Sequence, residues 1–192
     1  MKLRSFIVGL VISFSTVVSA STGQQIFESK CSSCHGVNTD ISVAPILHGR
    51  KTEYLRKQLN DFKKGKRPDL LMDGQMVAVA SELSLEDIGA VTSYLEGLEP
   101  CDFPKESADL PGDIEAGRRK AAACLSCHEN WNPGLRAPNL FAQRQSYLVH
   151  TLGAFKSKSR KNSYTMTSQA RRLSKMDMQD IGAFFSSVSV CE

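Results

Sequence analysis

Two short motifs place thiols and an imidazole at fixed spacing along the chain. The pattern Cys-x-x-Cys-His occurs as Cys31, Cys34 and His35 and again, 93 residues later, as Cys124, Cys127 and His128. In an exported protein this pattern is the attachment signal for c-type haem. The two thiols bond to the vinyl groups of the porphyrin, and the adjacent histidine becomes an axial ligand of the iron. The sequence therefore predicts two covalently bound haem c groups.

Paired cysteines also occur in zinc sites and in redox-active disulfides. A structural zinc ion needs four ligands, and neither copy of the motif has an obvious second pair of cysteine or histidine residues at ligand spacing. A thioredoxin-like dithiol has no reason to occur twice with a histidine in the same register. Haem attachment accounts for both copies.

The N-terminal twenty residues have the three parts of a secretory signal. Lys2 and Arg4 are charged, residues 6–18 form a mostly apolar run, and residues 18–20 are a small-residue cleavage site. The apolar run is shorter than the roughly 17 to 25 residues that span a bilayer. We therefore predict a signal peptide over residues 1–20 and export to the periplasm, with an uncleaved membrane anchor as the alternative.

The match between the two motifs extends over most of the mature chain. At the same offset, Ala-Pro-x-Leu at residues 44–47 matches residues 137–140, and Tyr-Leu-x-x-x-Leu at residues 54–59 matches residues 147–152. After Arg67 and Arg160 the offset becomes 90, which marks a loop of different length. A register kept over so many positions indicates a tandem duplication.

Each copy reads as a small helical unit. Leu55, Leu59 and Phe62 recur at helical spacing, and Ser84 precedes two acidic residues in the manner of a helix start. No segment alternates apolar and polar residues convincingly as a strand does. The proline-rich segment between the copies is typical of an extended linker. We therefore predict an all-α fold with domains at residues 21–99 and 113–192 and a linker at residues 100–112.

Each iron needs a second axial ligand from elsewhere in its copy. Met76 and Met166 occupy the same repeat position, each seven residues before a Leu-Ser pair that begins the last helix. A methionine sulfur on a loop can reach the face of the iron opposite the histidine, and this ligand raises the reduction potential. Packing in the core is the alternative role of these methionines. His48 and His150 are rival ligands, but they do not align with each other.

Two further matched pairs lie near the predicted haems. Pro45 and Pro138 follow the motif histidines by ten residues, so each carbonyl is a candidate acceptor for the histidine Nδ1–H. A helix-breaking turn is the alternative role of these prolines. Tyr54 and Tyr147 are candidates for hydrogen bonds to haem propionates, with simple packing as the alternative.

Cys101 and Cys191 remain after haem attachment, at equivalent ends of the two copies. Two thiols in an oxidising compartment seldom stay unpaired. We hypothesise a disulfide between them that ties the two halves together. A disulfide-linked dimer and free buried thiols are the other arrangements that the sequence allows.

Together these motifs make the chain resemble the two-haem class I c-type cytochromes, and the cytochrome c4 family in particular. The resemblance implies two class I domains with their haems facing each other across a pseudo-twofold interface. It implies one histidine and one methionine on each iron, namely His35, Met76, His128 and Met166. It also implies periplasmic electron transfer towards a terminal oxidase, with a membrane-bound oxidase and a quinol-oxidising complex as partners. The chain departs from the family pattern at residues 37–40, at residues 129–131 and in its spare cysteine pair.

The net charge of the chain and its distribution limit the classes of partner. The formal net charge of +4 is smaller than nucleic-acid-binding domains usually carry, so we expect no nucleic-acid partner, and no segment beyond the N terminus favours stable membrane insertion. The charge is unequal, at −2 over residues 21–101 and +4 over residues 102–192. Basic residues flank the second methionine, namely Lys156, Lys158, Arg160, Lys161, Arg171, Arg172 and Lys175. Such a rim would steer an acidic redox partner, with a merely solvated face as the alternative.

The predicted axial ligands of each iron indicate whether the protein is an electron carrier or an enzyme. Two strong protein ligands leave no open coordination position on the iron, so we expect an electron carrier rather than an enzyme. The main alternative is the electron-accepting cytochrome subunit of a periplasmic dehydrogenase that oxidises sulfur compounds. A haem sensor or a small dihaem peroxidase would need one iron with an open or exchangeable position.

Overall fold

The computed structural model describes residues 22–39, 43–69, 73–103, 110–130, 133–134 and 136–191. The predicted signal peptide at residues 1–20 lies outside the described residues, as does the middle of the predicted linker. The described residues form ten α-helices and one short 3₁₀ turn, without a β-strand. The all-α prediction is therefore confirmed. Within this part of the chain, no helix is long and apolar enough to cross a bilayer.

The helices fall into two successive groups of five. The first group is Gly23–Lys30 (α1), Ser32–His35 (α2), Thr52–Lys63 (α3), Gln75–Glu82 (α4) and Leu85–Glu96 (α5). The second group is Ile114–Lys120 (α6), Ala122–His128 (α7), Gln145–Lys156 (α8), Tyr164–Ala170 (α9) and Lys175–Ser187 (α10). The two groups follow the two copies of the repeat, so the duplication in sequence is also a duplication in structure.

Each half has its own apolar core. In the first half, α5 packs against α1 and α3, and in the second half α10 packs against α6 and α8. The first core buries Ile26, Phe27, Leu55, Leu83, Ile88, Val91 and Leu95. The second core buries Ala121, Leu148, Ile181, Phe184 and Phe185. Each core is small for a free-standing domain, because units of this size bury a low fraction of their surface.

The first and last helices of each half cross at close range. A Cβ atom at Gly23 would lie 2.2 Å from the carbonyl oxygen of Ala90, and a Cβ atom at Gly117 would lie 1.9 Å from that of Asp180. Side chains cannot approach a backbone so closely, so only glycine permits these crossings. Ala90 and Asp180 occupy the same repeat position. The crossing is therefore common to both halves.

Matched capping boxes begin the last helix of each half. The hydroxyls of Ser84 and Ser174 accept hydrogen bonds from the backbone N–H groups of Asp87 and Asp177 at 3.0 and 3.1 Å. The aspartate side chains in turn accept from the two serine N–H groups. This reciprocal pattern satisfies backbone donors that the helix leaves unpaired. The helix start predicted at Ser84 is confirmed.

The segment that joins the two halves begins with a 3₁₀ turn at Pro100–Asp102 rather than as a fully extended linker. Cys101 in this turn is bonded to Cys191, with 5.8 Å between the Cα atoms. The hypothesised disulfide is confirmed. It joins the end of the first half to the end of the chain, which lies just beyond α10.

Candidate haem sites

The first motif forms a one-turn helix next to a cavity. Cys31 precedes α2, and α2 carries Cys34 and His35. These three side chains line one cavity together with Met76 from α4. The structure thus brings together the four predicted haem-binding residues of the first half, while their roles as anchors and ligands stay predictions.

Most of the cavity wall is apolar. The side chains that supply it come from α3, α4, α5 and the segment after the motif, among them Val43, Ile46, Leu55, Leu59, Phe62, Val79, Leu83 and Leu95. An apolar wall with a thiol pair, an imidazole and a thioether fits the two faces of a porphyrin. Within the described residues, no cluster of three or more His, Cys, Asp and Glu side chains offers a metal ion another site.

A backbone carbonyl orients each motif histidine. His35 Nδ1 lies 2.9 Å from the carbonyl oxygen of Pro45, and His128 Nδ1 lies 2.7 Å from that of Pro138. The expected hydrogen bonds from the two histidines to the proline carbonyls are therefore confirmed. Since Nδ1 donates to a carbonyl, Nε2 is the nitrogen left to bind iron. Burial lowers the pKa of both histidines, which keeps the imidazoles neutral, as a metal ligand must be.

The motif cysteines differ from Cys101 and Cys191, because neither motif closes a disulfide. Each lies half-buried, and none is paired with its neighbour in a disulfide. Burial raises the pKa of Cys31 to about 11 and raises that of Cys124 as well. Both pairs are therefore available for thioether bonds.

The predicted methionine ligands lie in helices, not on loops as the sequence suggested. Met76 is the second residue of α4 and Met166 the third residue of α9. The N–H of Met76 donates to the Asp69 carboxylate at 2.7 Å, and the N–H of Met166 donates to the Ser163 hydroxyl at 3.3 Å. These acceptors satisfy N–H groups of the first turn and so allow a short helix to begin there. The pairing of Met166 with His128 on the second iron stays a prediction.

Polar side chains from both halves also line the first cavity. Arg50, Tyr54, Gln58 and Arg67 come from the first half, and Asn139, Gln143 and Tyr147 come from the second. Both tyrosines that were candidates for propionate contacts thus line the cavity. A haem has two propionates on one edge, so these polar side chains suit its amphipathic character.

The arginines that line the cavity lack carboxylate partners among the described residues. Arg50 donates to the carbonyl oxygens of Asn139 and Phe141 at 2.8 and 2.9 Å, while its buried Nε has no partner there. Burial lowers the pKa of Arg50 only to about 10, so its guanidinium stays charged at neutral pH. A buried cation with an unused donor calls for an anion, which fits a haem propionate.

The contacts between the halves are reciprocal. Gln143 accepts from the N–H of Ile46 at 2.8 Å and donates to its carbonyl at 3.0 Å, and Gln143 and Arg50 occupy equivalent repeat positions. Arg67 donates to the Tyr147 hydroxyl at 3.1 Å, and the equivalent Arg160 donates to Gln58 at 2.9 Å. In each half, the residues at the same two repeat positions therefore form hydrogen bonds across the interface.

Sequence reasoning missed most of this interface. Arg67 and Arg160 occupy equivalent repeat positions just before the loop of different length, but nothing in the sequence shows that either contacts the other half. Arg160 was expected on an exposed basic rim, and this was wrong, because it is only 6% exposed and bonds to the other half. Neither rival histidine is among the side chains that line the first cavity. His48 is buried against the rings of Phe27 and Phe103.

Comparison with known proteins identifies the family. The cytochrome c family model matches residues 20–99. The thiosulfate dehydrogenase electron acceptor of Stutzerimonas stutzeri is 31% identical to this chain, over 88% of this chain and 87% of that protein. The chain belongs to the dihaem class I c-type cytochromes. As members of this family do, it carries two covalently bound haem c groups.

Solved structures share the fold of this dihaem cytochrome. The cytochrome c4 of Acidithiobacillus ferrooxidans matches 83% of this chain and 99% of its own, with a TM-score of 0.69 and 28% identity. A thiosulfate dehydrogenase (TsdBA) of Marichromatium purpuratum matches the same 83%, with a TM-score of 0.72 and 26% identity, but this covers only 36% of that longer chain. The predicted tandem of two cytochrome c-type domains is therefore confirmed.

Proposed function

We propose that this dihaem cytochrome accepts electrons in the periplasm from a dehydrogenase that oxidises thiosulfate and passes them towards a terminal oxidase. Its similarity to a thiosulfate dehydrogenase electron acceptor, over nearly the full length of both proteins, carries the choice of donor. The solved TsdBA structure supports the same donor class. The resemblance to cytochrome c4 supports delivery towards an oxidase.

The proposal assigns a role to each residue of the two sites. The thiols of Cys31, Cys34, Cys124 and Cys127 would hold the porphyrins, and His35, Met76, His128 and Met166 would hold the irons. A bound haem supplies reversible one-electron chemistry between ferric and ferrous iron. The carbonyls of Pro45 and Pro138 fix the imidazoles, and the apolar wall excludes water. Two protein ligands on each iron leave no open position, which suits a carrier.

The domain boundaries belong to the same proposal. A signal peptide at residues 1–20 would direct export, followed by haem domains at residues 21–99 and 113–192 with a joining segment at residues 100–112. Export fits the Cys101–Cys191 disulfide, because disulfides form and persist in an oxidising compartment.

Stopped-flow spectroscopy with the holoprotein tests the donor. Purified thiosulfate dehydrogenase and thiosulfate should reduce both haems, and the mixture without thiosulfate is the control. The chemically reduced protein should then be reoxidised by membranes that contain a terminal oxidase. If the haems stay oxidised with the dehydrogenase but are reduced by a quinol-oxidising complex, the proposed donor is wrong.

A further inference from the structure

One surface segment differs sharply in its side chains between the two halves although it holds an equivalent place in both. Residues 81–86 read Ser-Glu-Leu-Ser-Leu-Glu, and the equivalent residues 171–176 read Arg-Arg-Leu-Ser-Lys-Met. Both segments join the methionine-bearing helix to the last helix, and both contain the capping serine described above. Lys63 and Lys156, also equivalent, donate to the carbonyl oxygens of Leu83 and Leu173. The two segments therefore hold the same position in their halves.

The side chains of the two segments have opposite charge. The first segment has a formal charge of −2 and the second +3. In the first, Leu85 is 71% exposed and Glu82 pairs with Lys30 at 2.7 Å. In the second, Lys175 takes the place of Leu85, and Met176 is 67% exposed. Because the Leu and the capping Ser are the same in both segments, the difference concerns the surface rather than the fold.

The positive segment is part of a larger surface that we name the basic face. It consists of Tyr164, Arg171, Arg172, Lys175 and Met176, with Lys158 and Lys161 at its edge. All seven side chains are exposed, Tyr164 at 87%. Among the described residues, no carboxylate forms an ion pair with any of its five cations. The nearby Asp177 is bonded to Lys120 at 2.8 Å and to Ser174.

The basic face covers the helix of the predicted second methionine ligand. Tyr164 is the first residue of α9, two residues before Met166, and Arg171 follows the last residue of α9. A partner bound to this face would therefore lie against the methionine side of the second haem site. Arg, Tyr and Met are also the residue types that are enriched in protein interfaces, whereas solvated surfaces favour Lys and Glu.

We propose that the basic face is the docking surface for an acidic patch on a redox partner protein. The equivalent segment of the first half, named the first-half face (Ser81, Glu82, Leu85 and Glu86), does not serve that partner. The proposal deepens the proposed electron-transfer function and rests on it. Complementary charge steers the encounter and raises the association rate, an effect that salt weakens. The exposed aromatic ring of Tyr164 and the exposed thioether of Met176 supply the apolar contact.

The test exchanges the two faces residue by residue in the holoprotein. The second-half variant combines Arg171→Ser, Arg172→Glu, Lys175→Leu and Met176→Glu. The matched first-half variant combines Ser81→Arg, Glu82→Arg, Leu85→Lys and Glu86→Met. Neither variant changes a residue of the two capping boxes or a predicted haem-binding residue, so haem content and visible spectra should equal those of the wild type.

Electron-transfer rates with protein partners are then measured from low to high ionic strength. The partners are thiosulfate dehydrogenase with thiosulfate and a solubilised terminal oxidase. We expect the second-half variant to lose about tenfold or more of its rate at low ionic strength with at least one partner, together with most of its salt dependence. The first-half variant should keep at least the wild-type rate with that partner. Unchanged rates and salt dependence in the second-half variant with both partners overturn the proposal.

Two further probes distinguish protein docking at the basic face from a wrong choice of donor and from binding to a lipid surface. Ferricyanide, a small trianion, should oxidise the reduced second-half variant several-fold more slowly than the wild type at low ionic strength. If the dehydrogenase fails to reduce the wild type while the ferricyanide and oxidase rates behave as expected, the donor is wrong and the docking surface stands. Sedimentation with phosphatidylcholine vesicles, with or without phosphatidylglycerol, tests a lipid surface. The proposal of docking to a protein is overturned if the wild type and the first-half variant bind the anionic vesicles, the second-half variant does not, and all electron-transfer rates with protein partners are unchanged.

Discussion

In each half, one helix follows the haem motif after a short segment, α3 in the first half and α8 in the second. The two halves secure the start of this helix in different ways. In the first half, Glu96 accepts from the Lys51 ammonium at 2.8 Å and from the Thr52 N–H at 2.7 Å, which ties α5 to the start of α3. In the second half, Ser186 and Arg144 hold these positions. Arg144 is 5% exposed, unlike the exposed Lys51, and so lies in the interior. A surface ion pair in one half has become a buried cation in the other.

Where the first and last helices of each half meet, it is the second half that has the ion pairs. Lys120 binds Asp177 and Asp180 and thereby joins α6 to α10, and the Asp113 N–H donates to Asp180 at 2.9 Å. The first half has Ala90 at the position of Asp180 and relies on close packing there. The halves share glycine crossings, capping boxes and histidine carbonyl contacts. Duplication has thus kept what positions the predicted ligands and changed the charges that surround them.

The largest effect should come from exchanging one predicted ligand at a time. Met76→Ala and Met166→Ala should each remove about half of the far-red sulfur-to-iron absorption and lower the potential of one haem, because a thioether ligand raises the potential. Absorption spectra of the oxidised protein with a redox titration measure both. The exposed Met176→Ala is the control and should change neither. A full far-red band in Met166→Ala would assign the second ligand to another residue.

The features that could be predicted from the sequence follow from local rules or from the repeat. The thiol pairs have a fixed motif, and the equivalence of Cys101 with Cys191 pointed to their disulfide. The capping serine precedes an acid three residues later in both halves, so each last helix could be placed. Such features depend on neighbours along the chain or on a partner at an equivalent position.

The interface could not be predicted, because its partners come from the other half. Gln143 is an ordinary polar residue in sequence, and its two bonds to Ile46 arise only when the halves meet. Arg160 lies among exposed lysines in sequence but turns inward, where Gln58 accepts from it. Met76 was expected on a loop because nothing in sequence showed that Asp69 would accept from its N–H.

Removal of the disulfide should have the next largest effect and should act on both halves together. Cys101→Ser with Cys191→Ser opens a loop of about 90 residues, so the free energy of unfolding should fall by about 2 to 4 kcal/mol. Denaturant unfolding followed by far-ultraviolet circular dichroism measures it. A reductant should destabilise the wild type similarly and leave the double variant unchanged. Equal stability of wild type and variant would show that the bond does not constrain the halves.

The interface should show a smaller effect that is confined to the contact between the halves. Gln143→Met leaves the N–H and C=O of Ile46 without their partner, which should cost about 2 kcal/mol of unfolding free energy. Urea unfolding measures this cost, and the loss of coupling should separate the transitions of the two halves. Gln169→Met on the exposed side of α9 is the control and should cost less than about 0.5 kcal/mol. An effect of Gln143→Met no larger than that control would contradict a structural role for the contact.

The smallest effect should distinguish the halves by pH. The hydrogen bonds from Lys51 and Thr52 lower the pKa of Glu96 to about 2. This pKa lies below that of an unfolded glutamate, about 4.3, so the contribution of the carboxylate is complete above pH 4.3 and is lost as the pH falls towards 2. The Glu96 side chain is 31% exposed, so solvent screening limits the contribution to about 1 kcal/mol. Glu96→Gln should therefore destabilise the protein at neutral pH and have little effect near pH 2.

The second half has no glutamate at this position, so the change should be confined to the first half. Acid unfolding is followed in Met166→Ala, where the remaining far-red band reports the site of Met76 alone, with and without Glu96→Gln. The exposed Glu28→Gln serves as the control and should leave the acid transition unchanged. The same destabilisation by Glu96→Gln at neutral and acidic pH would mean that packing, rather than the carboxylate charge, holds α5 to α3. The two halves would then differ in shape at this position and not in electrostatics.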